Sequence, residues 1–189
     1  CCLCGADGTL SVDQIYEEGV QPDMVTFTPD SKKILSADEG EPRNGYEAGS
    51  IDPKGTVTVI DLTNQNVSHL DFTVFDSEAK RAELVQNGVI LKKGTAPSVD
   101  LEPEYIAAND KTAYVTLQEA NAIAIVDLQT LSIENICSAG YEDNEKYPID
   151  IDRKDAAYRP VAYPSLRGIS MPDGISLFES NGKTYIVTA

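Results

Sequence analysis

The sequence predicts an all-β fold built from repeated antiparallel strands, and two observations lead to this prediction. Three segments, residues 21–41, 102–121 and 171–189, follow one plan: proline and an acid, a short apolar run, a polar turn, a lysine and a second apolar run. Two of them continue into a third apolar strand that ends in Asp-Leu, at residues 55–62 and 121–128. Strand-turn-strand units repeated in this way are typical of β-propeller blades.

The repeats divide the chain into about three blades and a partial one, whereas a propeller closes at roughly four to eight. We therefore expect an incomplete propeller, as an internal fragment of a longer protein would form. In chain order we predict the end of a preceding blade, a blade, an interblade helix or loop, a second blade, an interblade loop and the start of a further blade. These parts span residues 1–20, 21–76, 77–100, 101–140, 141–168 and 169–189.

Each repeat is expected to form a β-hairpin, because short apolar runs flank a turn built from Pro, Asp, Asn, Ser or Gly. A weaker strand at residues 132–136 would complete the second blade. The segment 77–88 predicts a short helix, with Ser77 as its N-cap and Gly88 at its end. The charged, tyrosine-rich segment 141–160 predicts a long loop.

The charge balance excludes several classes of partner. The 189 residues contain 31 acids and 15 Lys or Arg, for a net charge of −16. Such a surface repels nucleic acid and disfavours docking on anionic lipid. The chain has no apolar run long enough to span a membrane. The acidity suits divalent cations or a basic partner, or serves solubility in a salty or secreted setting.

The cysteines do not define a zinc site or a compartment. Cys1, Cys2 and Cys4 crowd the start, Cys137 is remote, and His69 is the only histidine. One disulfide from the N-terminal cluster to Cys137 and free thiols buried on strands both stay open. A glycosylation sequon begins at Asn66 and has meaning only in a secreted eukaryotic protein.

Acidic residues recur at equivalent places in the repeats and predict a metal site. Asp23, Glu104 and Asp173 each follow the repeat's proline, at the start of the strand that would line a propeller channel. Glu39 and Glu41 follow the second predicted strand of the first blade, and Gln118 and Glu119 follow that of the second. These side chains would reach the same end of the channel. The full candidate set is Asp23, Glu39, Glu41, Glu102, Glu104, Gln118, Glu119 and Asp173. Hard oxygen ligands favour Ca²⁺ or Mg²⁺. The alternative is a solvated rim whose acids accept backbone N–H groups.

Other motifs point away from common chemistries. Asp150, Asp152 and Asp155 have the carboxylate density of a calcium loop but lack its glycine and terminal glutamate, so a charged solvent loop is favoured. The sequence has no GxSxG, GxGxxG or P-loop motif, and no catalytic triad can be argued from one histidine. A nucleotide cofactor is therefore not expected, and an enzymatic role is the less favoured interpretation.

Several stretches in this order resemble the choice-of-anchor I family. They are PDMVTFTPD from residue 22, EGEP from 39, DLEPEYI from 100, VTLQE from 115 with Asn121-Ala122, and MPD from 171. The resemblance covers about residues 7–189. It implies a secreted or surface-anchored bacterial β-propeller, with animal relatives called mesenchyme-specific cell surface glycoproteins. Some members are fused to metallophosphatase or nucleotidase domains.

Two hypotheses for function follow. The first is an extracellular or cell-surface propeller that acts as a binding or scaffold module, with a divalent cation at the channel. Its partner would be a protein, a glycan or a mineral, besides the remaining blades of the full-length protein. The alternative is a metal-dependent hydrolase, phosphatase-like or lactonase-like, which would use the same carboxylates to hold its cation.

Overall fold

The computed structural model describes residues 1–42, 44–46, 49–152 and 154–189. Within them the fold is all-β and antiparallel, with two four-stranded sheets and three two-stranded sheets. The chain opens with strands β1 (Cys2–Cys4) and β2 (Leu10–Val12), which pair with each other. Of the two alternatives left open for the cysteines, the structure has neither a disulfide nor buried thiols, because all four cysteines are free and exposed.

The first four-stranded sheet corresponds to the first predicted blade. Its strands lie in chain order, so each pairs with the next along the sequence. They are β3 (Pro22–Phe27), β4 (Lys33–Asp38), β5 (Thr56–Asp61) and β6 (Asn66–Asp71). The predicted hairpin and third strand are thus confirmed, and the polar residues 39–55 form the connection between β4 and β5.

Two helices join the first sheet to the second. After a 3₁₀ turn at Thr73–Phe75, helix α1 spans Glu78–Gln86, and the Ser77 hydroxyl caps it by accepting from the backbone N–H of Lys80. The helix and its cap were predicted from the sequence. The short helix α2 (Pro97–Asp100) was not predicted, because four residues are too few to show a helical period.

The second four-stranded sheet repeats the order of the first. Its strands are β7 (Ile106–Ala108), β8 (Thr112–Leu117), β9 (Ala122–Asp127) and β10 (Ser132–Ser138). The strand β7 contacts both β3 of the first sheet and β13 of the third repeat. The first strands of the three repeats therefore lie next to one another.

The remaining strands form two hairpins. Strands β11 (Tyr141–Asp143) and β12 (Arg167–Ile169) pair antiparallel, so the prediction of a loop over 141–168 is wrong at both ends. These strands have no apolar alternation that could have revealed them. Strands β13 (Ile175–Ser180) and β14 (Lys183–Thr188) form the predicted hairpin of the third repeat.

One apolar core runs through both four-stranded sheets. Alternate residues of β4 and β5, such as Leu35 and Val57, belong to one buried cluster with Val115 and Val126 of the second sheet. Phe72 from the connecting segment is buried with them. The two sheets therefore share a hydrophobic interior and hold each other in place.

At Gly55, just before β5, the backbone packs tightly against the segment that precedes β7. A Cβ atom there would overlap the carbonyl oxygen of Leu101 and lie 2.5 Å from Pro103 Cδ and 3.1 Å from the carbonyl oxygen of Glu39. The absence of a side chain at Gly55 thus lets the segment before β7 lie against the end of β4. This contact brings Glu102 to the first sheet.

We expect Gly55→Ala to destabilise the protein by about 1–3 kcal/mol, because the new methyl group overpacks against backbone that cannot move alone. Urea unfolding followed by circular dichroism measures the change. Gly174→Ala is the matched control, since a Cβ atom there meets nothing within 4 Å. Equal stabilities of the two variants would contradict the proposed close packing.

Candidate metal centre

Three glutamates meet where the two four-stranded sheets adjoin. Carboxylate oxygens of Glu39, Glu41 and Glu102 all lie within 4.8 Å of one another. Glu39 and Glu41 follow β4, whereas Glu102 precedes β7, so the two sheets supply different members of the group. We call these three residues the acidic cluster.

The side chain of Gln21 ties two members of the acidic cluster together. Its Nε2 donates to Glu39 Oε2 at 2.5 Å and to Glu41 Oε2 at 3.1 Å. The Gln21 backbone lies in the left-handed region, at φ 56°, and its carbonyl accepts the N–H of Glu39 at 2.9 Å. The amide therefore supplies donors between two like charges that would otherwise repel each other.

Glu102 is the most deeply buried member, with 8% of its surface exposed. The Tyr46 hydroxyl donates to Glu102 Oε1 at 2.7 Å. Burial raises the pKa of Glu102 to about 7; the Tyr46 hydrogen bond opposes this rise, and the charges of Glu119, Glu41 and Glu39 add to it. Burial, together with the Glu102 hydrogen bond, also raises the pKa of the Tyr46 phenol. Glu102 therefore exchanges a proton near neutral pH.

Glu104 extends the acidic surroundings beyond the cluster. Its pKa is raised to about 8, mainly by burial and in addition by the charges of Glu39, Glu119, Asp23 and Asp173. Burial also raises the pKa of Glu39, while hydrogen bonds from Gln21 and Glu104 act in the opposite direction. A protonated Glu104 carboxyl is the donor of that hydrogen bond, which makes the rise in the pKa of Glu39 smaller than burial alone would make it.

The shared backbone position of the repeat acids has a structural basis. The N–H of Glu104 donates to the carbonyl of Thr116 at 3.0 Å, and that of Asp173 donates to the carbonyl of Ala189 at 3.1 Å. Asp23 lies at the irregularity between Pro22 and Met24 in the pairing of β3 with β4. Each acid thus lies where the start of the first strand of its repeat pairs with the end of the second.

Seven of the eight candidate residues influence one another in the structure. Glu39, Glu41 and Glu102 form the tight cluster, and the charges of Asp23, Glu119 and Asp173 act on Glu104. Gln118 lies in the turn after β8, where its carbonyl accepts the N–H of Asn121 at 2.9 Å. A ligand role for any of the eight stays a prediction.

Sequence reasoning missed Gln21 and Tyr46 as parts of this site. Gln21 had a usable signal, because it occupies in the first repeat the position that Glu102 occupies in the second. Tyr46 had none, since it lies in the polar insert between β4 and β5, which has no periodic pattern.

In the aspartate-rich segment 150–155, carboxylates already accept hydrogen bonds from backbone N–H groups. Asp150 accepts the N–H groups of Asp152 and Arg159, and Asp155 accepts that of Ala157. Arg153 lies outside the described residues. These local turns agree with the favoured interpretation of a charged solvent loop.

A family comparison agrees with this architecture. The model of the choice-of-anchor I domain matches residues 5–189. The chain belongs to the choice-of-anchor I domain family. A search of curated proteins found no match. Choice-of-anchor I membership indicates a cell-surface module, and among the described residues no helix combines the length and apolarity needed to cross a bilayer.

In this choice-of-anchor I domain the arrangement suits a hard cation. Three carboxylates within reach of one ion, with further acids beside them, match the oxygen ligands that Ca²⁺ and Mg²⁺ prefer. Without a cation the same charges repel; burial first, and this repulsion second, raise the pKa of Glu102 and of Glu104.

We expect Glu104→Gln to flatten the pH dependence of stability. The folded pKa is about 8, against an ordinary value of 4.5, so between these values the folded state holds a proton that the unfolded state has released. The stability contributed by Glu104 is full below about pH 4.5 and is lost as pH rises through about 8. In the variant, the slope of the free energy of unfolding against pH should be smaller by about the contribution of one proton.

Urea unfolding at a series of pH values in EDTA measures that slope. Glu134→Gln, an exposed acid on β10, is the control and should keep the wild-type profile. If Glu104→Gln shows the wild-type slope, the carboxyl is not held protonated in the folded protein.

Proposed function

We propose that this domain is an extracellular, cell-surface β-propeller module that binds or scaffolds a partner and holds a divalent cation at its acidic cluster. The observation that carries the proposal is the meeting of Glu39, Glu41 and Glu102 across two sheets. Family membership supports the cell-surface location.

The strand arrangement supports the propeller. Two four-stranded antiparallel sheets follow each other with the same sequential strand order. Their first strands, β3 and β7, are neighbours, and β7 also adjoins β13 of the third repeat. Propeller blades place their first strands next to one another around a central channel. The acids at the start of these strands would then surround one end of that channel.

The charge distribution supports the cation. Glu102 is nearly buried among acids, and burying like charges without compensation is costly. Gln21 and Tyr46 supply neutral donors, which reduce the repulsion without cancelling the charge. A Ca²⁺ ion bound by the cluster would neutralise it and join the two sheets. Glu39, Glu41 and Glu102 are the proposed ligands, and Glu104, Glu119, Asp23 and Asp173 are the outer acids.

Binding of Ca²⁺ should stabilise the domain and should depend on Glu102. At a Ca²⁺ concentration 100 times the Kd, the expected gain is about 2.7 kcal/mol. Glu102→Gln keeps the size and the Tyr46 hydrogen bond but removes a charged ligand, so we expect an affinity loss of about tenfold or more. Urea unfolding with and without Ca²⁺ measures the stabilisation, and isothermal titration with Ca²⁺ and with Mg²⁺ measures the affinities.

Glu134→Gln is the matched control, because it removes one exposed acid far along the chain from the cluster. Equal Ca²⁺ affinities of the two variants would show that general acidity, and not the cluster, attracts the ion. The hydrolase alternative stays a prediction, and turnover of a generic phosphate ester with Ca²⁺ or EDTA tests it in the same samples.

The affinity for Ca²⁺ should also rise steeply between about pH 6 and pH 8. Glu102 must lose its proton before it can bind a cation, and its pKa is about 7. Ordinary exposed carboxylates are already ionised in this range and would give a flat profile. Titrations at three pH values separate the two cases, and a flat profile would contradict a role for Glu102 as ligand.

A further inference from the structure

The outer face of the first four-stranded sheet, opposite the face that packs on the second sheet, is only partly covered. The pairing of Phe27 with Ile34 and of Ile34 with Ile60 places these side chains on it. Ile34 and Ile60 are buried, whereas Val25 and Phe27 of β3 are 59% and 54% exposed. A groove of about 530 Å³ lies between these four residues, which we call the open face, and the segment 1–18 that carries β1 and β2.

The second repeat shows what a face of this kind packs against. Ile106 lies three residues after Pro103, as Val25 lies three residues after Pro22. Ile106 is only 3% exposed, because it belongs to the core that the second sheet shares with the first. The equivalent face of the second sheet is therefore covered by a neighbouring sheet. The open face thus has the position, in its repeat, of a surface that packs on another sheet.

The hairpin β13–β14 of the third repeat carries an exposed apolar surface. Phe178 pairs with Tyr185, so their side chains lie on one face with that of Val187, and all three are exposed. The two aromatic rings stack with their centroids 5.0 Å apart. Ile175 and Leu177 alternate with this face and are half-buried, and β13 contacts β7 of the second sheet. The aromatic face, Phe178, Tyr185 and Val187, therefore lies away from the second sheet.

The hairpins β1–β2 and β13–β14 have the strands that would complete one four-stranded sheet. In both complete sheets the strand order follows the sequence. Strands β13 and β14 are the first and second strands of their repeat, and β1–β2 precedes β3 in the place of a third and fourth strand. Among the described residues, β14 pairs only with β13 and β1 only with β2. Each hairpin therefore keeps an edge at which another strand can pair.

Within one copy the two hairpins lie on opposite sides of the packed sheets, β1–β2 against the first and β13–β14 against the second. We propose that the hairpin β13–β14 of a second copy of this chain docks on the open face, beside β1–β2. The completed layer has the order β13, β14, β1, β2, and the aromatic face of one copy covers Val25 and Phe27 of the other. This contact rests on the propeller arrangement of the proposed function.

The contact joins two different surfaces, so it is heterologous, and two copies can form it twice. Such a pair contains four complete sheets and two composite ones. Six layers lie within the range of about four to eight at which propellers close. Closure at two copies leaves neither the open face nor the aromatic face exposed.

The test is sedimentation equilibrium of the 189-residue chain over a range of concentrations. EDTA removes cations that could bridge acidic surfaces, and about 0.5 M NaCl screens the repulsion between copies that each carry a net charge of −16. We expect a dimer of twice the chain mass that forms at micromolar concentrations. A chain that stays monomeric up to about 100 µM would overturn the proposal.

Two variants each place a charge on one of the two surfaces. Val25→Glu and Phe178→Glu should weaken dimerisation about tenfold or more, and neither disturbs the core, since both side chains are exposed in the monomer. Val85→Glu is the matched control, because Val85 is 51% exposed on α1, outside both surfaces, and the change in charge is the same. The control should dimerise as the wild type does. Wild-type dimerisation by either contact variant would contradict the proposed contact.

A mixture of the two contact variants tests whether the contact is heterologous. The unaltered hairpin of Val25→Glu can dock on the unaltered open face of Phe178→Glu, which restores one of the two contacts. The mixture should therefore dimerise more tightly than either variant alone. A mixture that associates no more tightly than its components would overturn the proposal, as would a face that pairs with itself and leaves one variant dimeric.

Titration of the same proteins with Ca²⁺, without EDTA, separates this contact from the acidic cluster, since neither Val25 nor Phe178 belongs to the cluster. A monomeric chain whose Ca²⁺ affinity falls with Glu102→Gln would overturn the dimer and leave the cation site standing. A dimer that the two contact variants disrupt, in a chain that binds no Ca²⁺, would support the contact and remove the cation site.

Discussion

The close approach at Gly55 is the constraint on which the rest of this structure depends. With no side chain there, the backbone of residues 101–103 rests directly against the end of the first sheet. The two sheets can then share one core, and Glu102 can reach Glu39 and Glu41. A larger residue at this single position would separate both the apolar and the acidic contacts, because both lie on the same boundary between sheets.

The fold and the acidic cluster oppose each other energetically. Packing of the core favours close sheets, whereas closeness exposes Glu102 and Glu104 to the negative charges of Glu39 and Glu119. The protein limits this cost in two ways. Gln21 and Tyr46 donate hydrogen bonds to the carboxylates, and the raised pKa values let Glu102 and Glu104 keep their protons near neutral pH. Core packing therefore holds together a site that its own charges would open.

The repeated sequence pattern was sufficient to predict most strands, because local turns and apolar runs encode hairpins. The proline followed by an acid in each repeat was sufficient to predict that Glu104 and Asp173 occupy equivalent positions. The sequence also pointed to Glu39, Glu41 and Glu102, although not to which of them would touch. That choice depends on Gly55, whose role is visible only when the second sheet is in place. Tyr46 and strand β11 could not be predicted, because their segments have no period and their positions are set by distant contacts.

The placement of Glu102 has a consequence for how such a site arises in evolution. One repeat encodes a four-stranded sheet with Glu39 and Glu41 just after its second strand, but the third carboxylate belongs to the next repeat. A tandem duplication of such a sheet, followed by a single change at the position that is Gln21 in one copy and Glu102 in the other, would therefore create the cluster at the new junction. The junction between copies, and not the copy itself, is the unit on which selection would act.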